Sequence, residues 1–282
     1  FHSVTGVPES DIRTITNCYV NAENGDNTYD GLSAETAWKT LTHALSNIAS
    51  HATVHVAPGS YTADSGETFP LEVQMPNLVL LGSDPETTII DNEGVAGQRV
   101  LQAGGKGALE FHGLTFTGGR FAGGANSGGG LFLQGCVSTL TNCIVRDNTN
   151  ICTDIAHGGG VYAIGGTLSL DDTVVKNNRL QTSATYGGGG GVATFNCPLS
   201  VMGTNSLFDN NTGVGTIYGG GIFVTNGDLT VSHAEFADNN MSGGDFRNQY
   251  GAGVYHGGAN CIAQILFSNF KNNKITGGGW SN

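Results

Sequence analysis

From about residue 128 the chain repeats one pattern of apolar and polar positions. Glycine triplets stand at Gly128–Gly130, Gly158–Gly160, Gly189–Gly191 and Gly219–Gly221, and Gly251-Ala252-Gly253 makes a fifth. An apolar residue follows each triplet: Leu131, Val161, Val192, Ile222 and Val254. Further along comes a turn that reads Asp147-Asn148, Asn177-Asn178, Asp209-Asn210, Asp238-Asn239 or Asn272-Asn273, with Val145, Val175, Leu207, Phe236 or Phe270 three residues before its Asn. The apolar runs between these marks are short and alternate, as in strands, and a copy of about 30 residues cannot bury a core of its own. The copies must therefore stack, and the predicted fold is an all-β right-handed parallel β-helix. Like residues then sit above like at about 4.8 Å. The pattern predicts an internal amide ladder of Asn148, Asn178, Asn210, Asn239 and Asn273, because a side-chain amide can bond the next coil's amide while its backbone turns a sharp corner.

Upstream, Val54–Val56, Leu78–Leu80, Thr88–Ile90, Val100-Leu101, Leu109–Phe111 and Leu114–Phe116 read as strands of less regular coils. One helical pattern runs from Ser33 to about Ser50, where Trp38, Leu41, Leu45 and Ile48 share a face and Ser33 is placed to cap the start. The chain thus divides into an N-terminal extension with a capping helix (1–52) and the β-helix proper (53–282), together one domain. The helix is expected to be a lid over the first coil.

Composition narrows the function classes. Glycine is 46 of 282 residues with no strict Gly-X-Y period, while hydrophobic residues still make up 38%, so neither collagen nor plain disorder fits. A net charge of −12, with 11 scattered basic residues, argues against nucleic acid and against an anionic membrane, and no apolar run is long enough for membrane insertion. The six cysteines (Cys18, Cys136, Cys143, Cys152, Cys197, Cys261) lack zinc-like spacing, so disulfides are expected, with fifteen pairings open. A start at Phe1 fits a mature or excised piece of a secreted chain, which places it outside the cell or at its surface.

The stretch Tyr19-Val20-Asn21, Gly25-Asp26-Asn27, Asp30-Gly31, Trp38-Lys39-Thr40-Leu41 and Ala44-Leu45, followed by Val54-His55-Val56-Ala57-Pro58-Gly59-Ser60-Tyr61, resembles the N-terminal segment of pectate-lyase-like β-helix proteins, including the uncharacterised extracellular group DUF1565. The later Gly-Gly-Gly-Ile-Phe…Phe…Asn-Asn copies resemble the repeats of chlamydial polymorphic outer-membrane proteins, which are surface adhesins. The resemblance implies the fold and leaves activity open, because one scaffold hosts lyases, hydrolases, adhesins and structural proteins.

Lyases of that superfamily use Lys or Arg beside a carboxylate-bound calcium. Lys176 with Asp171 and Asp172 is the nearest match here, and Arg146 precedes Asp147 one copy earlier. Hydrolases need converging carboxylates, but Asp147, Asp209 and Asp238 are already explained as corner residues. Asp26 and Asp30 could hold calcium, or simply order an Asx-rich loop. Phe132, Tyr162, Phe223 and Tyr255, with Ala193 between, form a column expected to face outward and to grip sugar rings or protein, unless a loop folds over it. His157, Tyr186, Tyr218 and Tyr250 lie just before the triplets. Asn210 and Asn240 match the glycosylation pattern, and Asn240 is the better acceptor if Asn210 belongs to the ladder. Gly277-Gly278-Gly279-Trp280 opens a further copy, so the last coil calls for a cover.

These features favour an extracellular surface or fibre-forming protein without catalysis. Its partners would be itself, through head-to-tail or lateral assembly, or a surface glycan. The alternative is a polysaccharide lyase or related carbohydrate-active enzyme. Ice binding lacks a regular outward Thr column.

Overall fold

The computed structural model describes residues 15–74, 77–105, 107–122, 128–153, 155–183, 187–215, 218–243 and 250–276. One coil shows the whole plan. Val161–Ile164 lies in sheet C, Thr167–Asp171 in sheet A, Val174–Lys176 in sheet B and Arg179–Thr182 in sheet D, and the next glycine triplet leads back to sheet C. Every pairing between the strands of successive coils is parallel, giving nine strands in sheet A, eight in B, seven in C and six in D among the described residues. The chain is thus a parallel β-solenoid of about 8 turns.

Alternation decides what goes inside. Leu140, Leu170, Val201 and Val231 of sheet A, Val145, Val175, Phe208 and Phe236 of sheet B, and Leu131, Val161, Val192 and Ile222 of sheet C are all buried in one continuous core. Phe208 stacks on Phe236 with ring centroids 4.8 Å apart, and Phe236 on Phe270 at 4.7 Å. Such ladders form because identical strand positions recur one coil spacing apart.

The amide ladder exists, with one correction. Asn148 Nδ2 donates to Asn178 Oδ1, Asn178 Nδ2 to Asn211 Oδ1, Asn211 Nδ2 to Asn239 Oδ1 and Asn239 Nδ2 to Asn273 Oδ1, at 2.8–3.1 Å. Asn211, not Asn210, is the member, and Phe208, not Leu207, is the inward residue before it. This coil spends Gly203-Thr204-Asn205-Ser206 on a corner where the preceding one spends only Asp172-Thr173, which shifts the register between two adjacent asparagines. Asn210 takes the outer corner instead. Its φ is +51°, and its Nδ2 donates to Asn177 Oδ1, whose own amide donates to Asp147.

The helical reading also contracts. Only Leu41–Asn47 is helical (α1), capped by Thr40, whose hydroxyl accepts from His43 N–H, and not by Ser33. Both oxygens of buried Glu67 accept from the first turn: Leu41 N–H at 2.6 Å and Thr42 N–H at 2.8 Å. Burial pushes Glu67 up from the usual carboxylate range, and those bonds pull it back. Ile48 leaves the helix for the strand Ile48–Val56, which lies between Ile15–Val20 and Leu78–Gly82, while Trp38 anchors the preceding loop through its indole N–H to Tyr29 C=O. Trp38, Leu41, Leu45 and Ile48 are all buried as the pattern required, although two of them lie outside the helix.

The expected disulfides are not formed. Cys136 and Cys197 share a corner with the coil of Gly166 between them, so their Cα atoms stand roughly 10 Å apart. A disulfide needs less than about 7 Å. Cys143 behaves like the hydroxyl residue above it: its Sγ–H donates to Phe111 C=O, as Thr173 Oγ1 donates to Leu140 C=O one coil on.

Sheet D and the short strands Ala156–His157 and Gly187–Gly188 fold back over sheet C and close a side lobe. Tyr162, Ala193 and Phe223 are buried there, with Phe132, Tyr218 and Tyr255 packed against them. Of the two readings of the aromatic column, facing solvent or covered by a folded-over segment, the covered one holds for Tyr162 and Phe223. His157 lies in this lobe, 5.1 Å from the Tyr162 ring and 5.6 Å from Phe223.

Burial drives the His157 imidazole down to about 4 from an ordinary 6.5. A depressed folded pKa leaves the stabilisation intact above pH 6.5 and removes it as pH falls from 6.5 towards 4, by up to about 3 kcal/mol. Thermal midpoints followed from pH 7 to pH 4 are expected to drop more steeply for the native chain than for His157→Phe, and parallel curves would contradict this.

Candidate functional site

Among the described residues sheet D begins at Arg120–Phe121, and the outer face of the earlier sheet C coils carries polar side chains. In Leu71–Val73, Leu101–Gly104 and Leu131–Gln134 the residues Leu71, Val73, Leu101, Ala103, Leu131 and Leu133 point into the core. Strand alternation then turns Glu72, Gln102 and Phe132 outward in register, with Gln134 beside them. Together with Gln74 and Gly104 they line a cleft of about 310 Å³. Gln102 Nε2 donates to Glu72 Oε1 at 2.6 Å, a charge-assisted bond that holds both side chains.

Arg99 supplies the adjoining cation. It is 5% exposed, and its guanidinium carbon lies 4.0 Å from the Phe121 ring centroid and 4.8 Å from that of Phe132. Burial lowers its pKa to about 10, while the Glu72 charge acts in the opposite direction, so it stays protonated at neutral pH. The cleft therefore combines one carboxylate, three primary amides and an aromatic edge. Amides and carboxylates of this kind bind hydroxyl groups by giving and taking hydrogen bonds. Glycoside hydrolysis needs two carboxylates flanking one bond, and Glu72 is the single carboxylate among the lining residues.

The residues singled out from sequence lie elsewhere. Lys176 is on the outer face of sheet B, in register with Arg146 and Asp209. Asp171 ends a sheet A strand, and Asp172 turns the corner with φ +44°, its Oδ1 accepting Asn205 N–H at 3.0 Å. Among the described residues Lys176 forms no ion pair with either carboxylate. Asp147 and Asp238 occupy outer corners with positive φ, and Asp209 lies on sheet B.

Asp26 Oδ1 accepts Thr28 N–H, and Asp30 Oδ1 accepts Leu32 N–H and the Thr36 hydroxyl, bonds that hold both carboxyls below their usual range. Among the described residues no three His, Cys, Asp or Glu side chains group as metal ligands, and no helix is long and apolar enough to cross a membrane. Tyr186 and Gly277–Trp280 lie outside the described residues.

Sequence reasoning missed Glu72, Arg99, Gln102 and Gln134. The signal was present: Leu71-Glu72-Val73-Gln74 alternates, and the same outward position returns at Gln102 and Phe132, one coil apart each time.

Stacked parallel coils with a cleft on one outer face define a parallel β-solenoid protein. More particularly, the chain belongs to the family DUF1565, described as a protein of unknown function, whose model matches residues 23–279. Among solved structures it is similar to a pectin methylesterase from carrot, with 13% identity over 99% of this chain and 86% of that one and a TM-score of 0.42. Among curated proteins none matches this chain.

Proposed function

We propose that this chain is an extracellular β-helix that binds a neutral polysaccharide through the sheet C cleft and acts as a structural or adhesive element. The right-handed sense expected for such crossovers and a lid role for α1 belong to the same proposal. The observation that carries it is the row Glu72, Gln102 and Phe132, one residue per coil, with Gln134 alongside. A polymer laid along the solenoid axis meets a hydrogen-bonding side chain or a ring at about every 4.8 Å. Neutral sugars are favoured because a polyuronate would meet Glu72 and a net charge of −12.

Affinity electrophoresis through neutral and acidic polysaccharides tests this. Glu72→Gln and Gln102→Ala are each expected to weaken binding about tenfold, the worth of one hydrogen bond to a charged group. Absence of binding to every neutral polymer overturns the proposal. A lyase is the second reading, favoured by Arg99, a buried guanidinium beside Glu72 whose positive charge would stabilise the carboxylate of a uronate as its α-proton leaves. Ultraviolet absorbance from unsaturated products on uronate polymers, abolished by Arg99→Lys, would replace the binding role with that one.

A further inference from the structure

We infer that Asn210 is an N-glycan acceptor whose first sugar seats in the polar groove where sheets B and D meet. This rests on the extracellular reading above. Two positions fit Asn-X-Ser/Thr: Asn210-Asn211-Thr212 and Asn240-Met241-Ser242. With Asn211 in the ladder, Asn210 is an exposed corner residue free of the core. Its amide donates one proton to Asn177 Oδ1 at 2.9 Å and has a second to give. Asn240 sits differently, half-buried in the strand Asn240–Ser242 with its Oδ1 accepting the Thr276 hydroxyl at 2.9 Å.

A second observation is the space around the acceptor. Asn210 opens onto a groove of about 480 Å³ walled by Asn177, Asp209, Thr212, Asp238, Asn240 and Lys274. These side chains donate to and accept from sugar hydroxyls, and none is apolar. In the transfer, a bond forms between Asn210 Nδ2 and C1 of the sugar as the C1–O bond to a lipid-linked diphosphate donor breaks. The amide releases one proton and the lipid diphosphate departs. The N–H that stays keeps the bond to Asn177, so the corner need not rearrange.

The full chain, given a secretion leader, is produced in a glycosylating eukaryotic host and weighed before and after endoglycosidase. Loss of one glycan mass is expected from the native chain, from Asn240→Gln and from Thr212→Ser, and not from Asn210→Gly or Thr212→Ala. A secreted native chain without glycan, or a glycan that persists in Asn210→Gly, overturns the inference. Cytosolic retention in fractionated cells of its own source would instead sink the extracellular reading.

Discussion

Asn211→Ala is expected to lower stability by about 4–6 kcal/mol, whereas Asn210→Gly, one residue away, should cost less than about 1 kcal/mol. Asn211 Oδ1 accepts from both the backbone N–H and the Nδ2 of Asn178, and its Nδ2 donates to Val175 C=O and Asn239 Oδ1. Truncation takes these partners from Asn178 N–H and Val175 C=O, where an unsatisfied buried group costs about 1–3 kcal/mol, and it removes one of the two bonds of Asn178 Nδ2 and of Asn239 Oδ1, which keep Val145 C=O and Asn211 N–H. Partial relaxation keeps the total below the simple sum. Asn210 bonds only at the surface, and glycine accepts its positive φ without strain. Guanidinium unfolding of the two variants gives the comparison. Equal losses would mean that the ladder does not pass through Asn211.

A second large effect is expected at the middle of a glycine triplet. A Cβ on Gly159 would stand 2.2 Å from the Gly190 carbonyl oxygen and 2.6 Å from the Arg179 carbonyl carbon. Both obstacles are backbone, one in the next coil and one in sheet D, so no side-chain rotation relieves the clash. Gly159→Ala must separate two coils along their hydrogen bonds, and it is expected to abolish the cooperative thermal transition or prevent soluble expression. Gly104→Ala is the control, because a Cβ there meets nothing within 4 Å and its φ is not left-handed. That change should move stability by less than about 1 kcal/mol. An unchanged midpoint for Gly159→Ala would show that the triplets do not serve close packing.

These contrasts mark how far local pattern can be trusted. The period was legible because stacking repeats one chemical requirement in every coil. A corner needs Asn or Asp, the approach of sheet D to sheet C needs glycine, and the residue after each triplet must be apolar. Leu131, Val161, Val192, Ile222 and Val254 fall in register as that requirement predicts. Where two residues satisfied the requirement equally, as Asn210 and Asn211 do, pattern could not choose. The length of the Gly203–Ser206 corner settled it.

Alternation along a strand distinguishes its two faces but says nothing of what covers the outer one. Phe132, Tyr162, Phe223 and Tyr255 share one outward column, yet the fold-back segment buries Tyr162 and Phe223 and leaves Phe132 and Tyr255 half-buried. Helical spacing around Trp38 foretold burial correctly and secondary structure only in part, because strand pairing on both sides claims Ile48–Val56.

From residue order alone came the winding, its period and the inward-facing rows, since each depends on short-range periodicity and on the need of every copy for a neighbour. The cleft needed three dimensions. Glu72, Gln102 and Gln134 come from successive coils, and Arg99 is held between rings of Phe121 and Phe132, so neighbours in the site lie about a coil apart in sequence. Contacts of that range arise only once the coils stack, which is why the candidate chemistry stayed hidden while the architecture did not.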